Sequence, residues 1–245
     1  TGGYAPWLAT AAAFGGGLAA GAATGLLHTK GKINGLLAGI LMMVALYSIN
    51  LRIMNVPNIS LLRLETIFTG ISVIPLMVLI VLITMALLVA FLKTDLGLAL
   101  RATGDNPRMI SSLGANTDTA KIIGVSLSNG LVALSGAVVA QQSGFADINS
   151  GTGMIVIGLA SVIIGEAIFG HPTVFRAVLA VILGSIVYRI VVAYALRVTF
   201  LEASDVKLIT AVIVVFALVV PYLWRAMNQR KTARKRSEEL AGDGR

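Results

Sequence analysis

KTDLGLALRATGDNPRMISSLGANTDTAK, residues 93–121, is the longest polar interval ahead of the C-terminal tail, and long apolar runs flank it on both sides. Helix punctuation lies inside it. Asn106 is placed to accept from free backbone N–H groups as an N-cap. Pro107 suits a first helical position because it has no N–H to leave unpaired, and Gly114 supplies a left-handed stop. Between them Pro107–Leu113 makes about two turns, with Met109, Ile110 and Leu113 on one side and Arg108, Ser111 and Ser112 on the other. So short a helix is marginal alone in water and needs something to pack against. A small knob with an apolar stripe, held at a membrane surface, is shaped to enter a groove on another protein. An interfacial turn that merely connects two spans fits the same residues.

The flanks set the class. Of 245 residues, 57% are hydrophobic and 12% charged, where a soluble domain carries roughly 25% charged residues. The mean hydropathy is +0.90. The expected fold is therefore all-α, a polytopic membrane protein with about seven transmembrane or re-entrant helices and a short cytoplasmic helix. Residues 1–224 form its membrane domain, and 225–245 form a basic tail expected to be disordered. The chain begins at Thr1 with a glycine-rich run, which reads as N-terminally incomplete with no visible signal peptide. Without cysteine, the redox compartment is unreadable and thiolate metal sites are excluded. The net charge of +8 raises nucleic acid as a partner, but seven of nineteen Lys and Arg residues follow Trp224. A basic tail beside a last span is more simply an orientation signal, so the lipid bilayer and no nucleic acid are expected.

The first span is expected over about Pro6–Leu27, where Gly17, Gly21 and Gly25 recur every fourth position. That spacing lays a glycine strip on one helix face, where a neighbouring backbone can approach, and it reads as a packing seam. HTKGK (28–32) lacks the GxxxxGK[ST] of a phosphate loop and reads as a turn; His28 has no second metal ligand nearby. A second span covers about Ile33–Met54, NVPNISLLRLET (55–66) is a loop, and a third span covers about Ile67–Leu92. Gly70 and Pro75 make the first turns of that third span kinked or distinct. In the fourth, about Ile122–Gln142, Ser128, Ser135 and Gln142 share one face at seven-residue spacing. Polar groups in lipid must face protein or water, so this face, with Asn129 beside it, lines a pathway or makes interhelical hydrogen bonds.

SGFADINSGTG (143–153) has turn chemistry, and a short fifth span, about Met154–Phe169, ends near Glu166. About 20 residues are needed to cross upright, so this helix is partly re-entrant or thins the bilayer. The sixth span, about Ala177–Val198, holds Tyr188 and Arg189 near mid-depth. Arg189 is about 12 Å from the outer end, too far for simple snorkelling. It is expected to face the protein interior, either with Tyr188 beside the pathway or in a structural pair with Glu166 or a helix-end carbonyl. The seventh span is about Lys207–Trp224.

Loop charges orient the chain. With the tail cytoplasmic, intervals 28–32, 93–121, 170–176 and 225–245 are cytoplasmic and hold 14 of the 19 Lys and Arg residues. Residues 55–66, 143–153 and 199–206 then lie outside, with Arg63, Glu65, Asp147, Glu202 and Asp205 as their charges.

No catalytic residue, metal site or cofactor is expected: there is no nucleophile elbow, no HExxH and no phosphate loop, and the two histidines are 143 positions apart. An ion-gradient secondary transporter remains open, with Glu166 as its one intramembrane acid, as does a non-transporting scaffold subunit.

LRATGDNPRMISSLGANT (100–117) and SNGLVALSGAVVAQQSGFADINSGTGMIVIGLASVIIGEAIFG (128–170) resemble the membrane subunits of ATP-binding-cassette importers, in the branched-chain amino acid/ribose permease family. Within it the chain is most similar to the branch associated with tryptophan and tyrosine uptake, particularly at TGDNP, LSNG and AQQ-G-AD. The resemblance implies a transport permease in the cell (inner) membrane that forms a homodimer, docks a separate ATPase subunit and receives substrate from an extracytoplasmic binding protein. It implies that Gly104, Asp105, Asn106, Pro107, Arg108, Met109, Ile110, Leu113 and Gly114 couple to the ATPase. The pathway candidates are Ser128, Asn129, Ser135, Gln142, Glu166, Tyr188 and Arg189.

Overall fold

The structure, a computed structural model, describes residues 5–151, 154–170 and 172–195. The expected seventh span (207–224), the loop 199–206 and the tail 225–245 lie outside the described residues. The chain divides into two compact units, Thr1–Ser150 and Gly151–Arg245.

In the first unit, α1 (Pro6–Thr29) is followed by α2 (Gly35–Met54). Pro6 stands at the first helical position of α1, where its missing N–H costs nothing. The turn between them is closed by His28, whose Nδ1–H donates to the Ile33 carbonyl at 2.8 Å. Asn34 then caps α2 by accepting from the Leu36 N–H at 2.9 Å, which moves the start of the helix two residues past the expected Ile33.

Two short strands follow from segments far apart in sequence. β1 (Asn58–Ser60) pairs antiparallel with β2 (Phe145–Asp147), Asn58 opposite Asp147 and Ser60 opposite Phe145. The expected loops 55–66 and 143–153 are thus joined at one end of the unit. The third span begins later than expected. Residues 67–72 form turns, Gly70 lies at φ +79, and α3 is Val73–Leu92. Its first turns are distinct, as Gly70 and Pro75 imply.

Stretch 93–121 holds more structure than its reading predicts. α4 (Asp95–Asp105) precedes α5 (Pro107–Ser112), and α6 starts at Thr117, five residues ahead of the expected Ile122, running to Ser143. Asn116 accepts from the N–H groups of Asp118 and Thr119, at 3.0 and 3.1 Å, and so fixes that start within polar sequence.

α1 and α6 lie antiparallel along the glycine strip. A Cβ on Gly17 would stand 2.6 Å from the Asn129 carbonyl, one on Gly21 2.6 Å from Ser126 Cα, and one on Gly25 2.9 Å from Ile122 Cα. The strip is the packing seam its spacing implies, and Ser126 Oγ adds a 2.6 Å hydrogen bond to the Leu18 carbonyl. Lys30 at the end of α1 reaches Asp118 at 4.0 Å, an exposed pair that adds little.

In the second unit, α7 (Met154–Phe169) and α8 (Val174–Ala195) pack as a hairpin. α7 matches the expected fifth span residue for residue, while α8 begins three residues before the expected Ala177. Buried Ser161 and Gly165 face Ala180 and Gly184, so a Cβ on Gly184 would stand 2.7 Å from Gly165 Cα. This second small-residue seam follows the same four-residue spacing and escaped the sequence reading.

Five described helices are long and apolar enough to cross a membrane: α1, α2, α3, α6 and most of α8. At 16 residues α7 is shorter than an upright crossing requires. Leucine, isoleucine and valine side chains along α2 and α3 are exposed, which is the surface a bilayer covers.

Candidate coupling knob and polar membrane faces

The corner between α4 and α5 is dictated locally. A residue before proline is pushed out of helical backbone, and Asn106 accordingly sits at φ −151, ψ 90. It closes one helix and opens the next. Its N–H donates to the Ala102 carbonyl at 2.9 Å, while its side chain accepts from the Met109 N–H at 3.1 Å. At the other end Gly114 has φ +84, and the Ala115 N–H reaches back to the Ile110 carbonyl at 3.3 Å.

No residue of α5 is buried. Met109 is 58% exposed and Leu113, which caps the helix rather than continuing it, is 71% exposed. Ile110 is half-buried. Gly104, Asp105 and Arg108 are exposed around the corner. α4 adds what the sequence reading missed: Leu96 and Leu98 are exposed in its first turn, while Leu100 packs toward Gly124 of α6. The signal was available in Thr94, whose Oγ1 accepts from the Gly97 N–H at 3.3 Å, followed by Asp95 in the first turn.

The polar residues of α6 divide between two faces. Ser128, Ser135 and Gln142 are exposed along one line, together with Val132 and Val139. Asn129 turns toward the α1 seam and donates to the Val125 carbonyl at 2.9 Å. In the second unit, Tyr188 is 2% exposed, whereas Arg189 and Glu166 are exposed. Consecutive helical residues point about 100° apart, which lets Tyr188 be buried while Arg189 beside it is exposed. No ion pair joins Arg189 to Glu166 among the described residues.

The capped end of α5 gives a first expected result. Asn106→Ala removes the hydrogen bond to Met109 and costs about 1 kcal/mol of helix stability, roughly a fivefold loss in any affinity that requires the formed helix. Titration of the protein with a partner that docks on α5 measures it. Unchanged affinity would mean that α5 is not presented as a preformed helix.

Apolar helices closed on small-residue seams, with polar residues on exposed membrane faces and a capped knob between two spans, define a polytopic membrane permease. The family described as branched-chain amino acid transport system, permease component, matches residues 1–221. The chain belongs to that family and is a permease component of an ABC-type transport system.

It is 47% identical to the tyrosine transport system permease protein of Clostridioides difficile (strain R20291), over 88% of this chain and 73% of that one. It is 35% identical to the uncharacterized protein RP368 of Rickettsia prowazekii (strain Madrid E), over 81% of this chain and 73% of that one. A more limited likeness, 37% identity over 46% of this chain and 33% of the relative, joins it to the autoinducer 2 import system permease protein LsrC of Salmonella typhimurium. No solved structure matches the chain.

Proposed function

We propose that this permease forms the translocation pathway for an amino acid of the aromatic type, driven by ATP hydrolysis on a separate subunit that docks on α5. The observation that carries the coupling role is a six-residue helix with both ends fixed and no buried residue. Such a helix is marginal unless something covers it. The aromatic substrate rests on the relative named as a tyrosine permease, which matches far more of this chain than the LsrC-type relative does. A binding protein outside the cell and a second copy of the permease complete the system.

The exposed α6 line of Ser128, Ser135 and Gln142 is assigned to the pathway, and within the second unit Arg189 and Glu166 are candidates in their own right, since a charge in lipid is costly unless it is paired or wetted. Asn129 and Tyr188 support helix packing beside it. The protein sits in the cytoplasmic membrane with its C-terminus inside, so the β1–β2 end faces out.

Proteoliposomes holding permease and ATPase, supplied with binding protein, are expected to take up tyrosine only with ATP inside the compartment that the ATPase faces. Uptake that follows an ion gradient without ATP would overturn the reading. Because the chain has no cysteine, single cysteines report sidedness and pathway together. Ser150→Cys is expected to react from outside, and modification of Ser135→Cys is expected to block uptake. Labelling of Ser150→Cys from the cytoplasmic side alone would invert the orientation.

A further inference from the structure

Gln141 lies in the last turn of α6 and does what its neighbour Gln142 does not. Its Nε2 donates to Thr10 Oγ1 at 2.8 Å and to the Ala137 carbonyl at 3.3 Å, while its Oε1 accepts from the Ile67 N–H at 3.1 Å. Thr10 passes its own hydroxyl hydrogen to the Pro6 carbonyl at 2.9 Å. One amide thereby joins the first turns of α1, the end of α6 and the turn that leads into α3. Thr10 is 7% exposed and Ile67 3%, and Ile67 packs with Leu76 and Val138. In such surroundings a broken bond leaves polar groups without water to replace it.

The segment between α2 and α3 is held at a second place. The Leu61 N–H donates to the Gly144 carbonyl at 2.7 Å, and the Ile148 N–H to the Pro57 carbonyl at 3.0 Å, extending the β1–β2 ladder. The ladder holds residues 57–61 and Gln141 holds residue 67. Without Gln141 the segment keeps the ladder and the apolar contact of Ile67 with Val138, but no hydrogen bond between Ile67 and α6.

We propose that Gln141 is a positioning residue for transport, a latch that makes the 55–72 segment follow α6. This rests on the reading of α5 as the coupling helix. α6 begins five residues after α5, packs against α4 and α5 at that end, and runs without a break from Thr117 to the latch at Gln141, about 36 Å of continuous helix. A shift imposed at α5 is delivered to the opposite loops through that rod only while the latch holds.

The test uses the intact permease–ATPase complex with spin labels on Leu8→Cys and Ile71→Cys, both exposed positions in a chain without other cysteines. In Gln141→Leu the label-to-label distance distribution is expected to broaden, and solute moved per ATP hydrolysed to fall about five- to tenfold while hydrolysis itself continues, as loss of one or two buried hydrogen bonds allows. Thr10→Val, which leaves the Ile67 bond in place, is expected to broaden the distribution less. The double variant is expected to be no worse than Gln141→Leu, because the two side chains act as one unit. A parent-like distribution in Gln141→Leu, or additive effects in the double variant, would overturn the latch. If the parent complex transports without ATP, the importer reading fails instead, and the label distances still decide whether Gln141 holds the segment.

Discussion

Met109→Asp and Leu113→Asp are each expected to release the ATPase subunit from the permease while the membrane helices stay assembled. Both side chains are more than half exposed at the tip of α5, so neither supports the fold. Covered by a partner, each would contribute about 1.5–3 kcal/mol of apolar burial. A carboxylate in the same place must also lose water without a partner charge, which adds at least a comparable cost. The combined loss corresponds to more than about a hundredfold in docking affinity. Co-purification of the ATPase, ATP turnover and uptake should all fall, while detergent-extracted permease keeps its thermal stability. Leu96→Asp separates a narrow knob from a broader surface, since Leu96 is exposed on α4, the helix that precedes α5. Wild-type assembly and uptake in both α5 variants would leave α5 as a plain connector.

Gly21→Leu is expected to have the largest effect on folding. A Cβ there would lie 2.6 Å from both Ser126 Cα and the Val125 carbonyl oxygen, which are backbone atoms that no rotamer change can move aside. Relief requires α1 and α6 to separate. Separation would stretch the 2.6 Å bond from Ser126 to Leu18 and strain the contact of Gln141 with Thr10. Overpacking costs roughly 1–3 kcal/mol where side chains can yield, and backbone against backbone belongs at or above the top of that range. Gly16→Leu is the control: the position is exposed and a Cβ meets nothing within 4 Å. Leucine there should be neutral or slightly stabilising, because glycine is a poor helix former. Melting of the two purified variants in detergent checks the contrast, and equal stability would remove the seam from its central place.

How much of this was legible from residues alone depends on how far each signal acts along the chain. Caps and stops act over a few residues. Asn106, Pro107 and Gly114 therefore announced α5 before any coordinates, and Asn106 does accept from the backbone as a cap should. α4 was equally local, with Thr94 and Asp95 at its start, and was passed over because a single polar interval was read as one short helix. The Ser161–Gly165 and Ala180–Gly184 spacings had the pattern of the α1 strip but were hidden in strongly apolar runs.

By itself the sequence determined the membrane class, the order of the described spans, the glycine strip and the cap at Asn106, because composition, periodicity and capping are properties of neighbouring residues. Only the tertiary structure decided which faces are covered. Periodicity places Ser128, Ser135 and Gln142 together, but it cannot say whether that line or the one bearing Ser126 and Gln141 meets α1. The glycines of α1 let a backbone approach without naming the helix that approaches. The pairing of Asn58–Ser60 with Phe145–Asp147 had no local signal at all, since three-residue strands gain their stability from a partner that is remote in sequence. The burial of Tyr188 beside an exposed Arg189 belongs to the same class. The helix sets the angle between the two side chains, and the α7 seam selects which one turns inward.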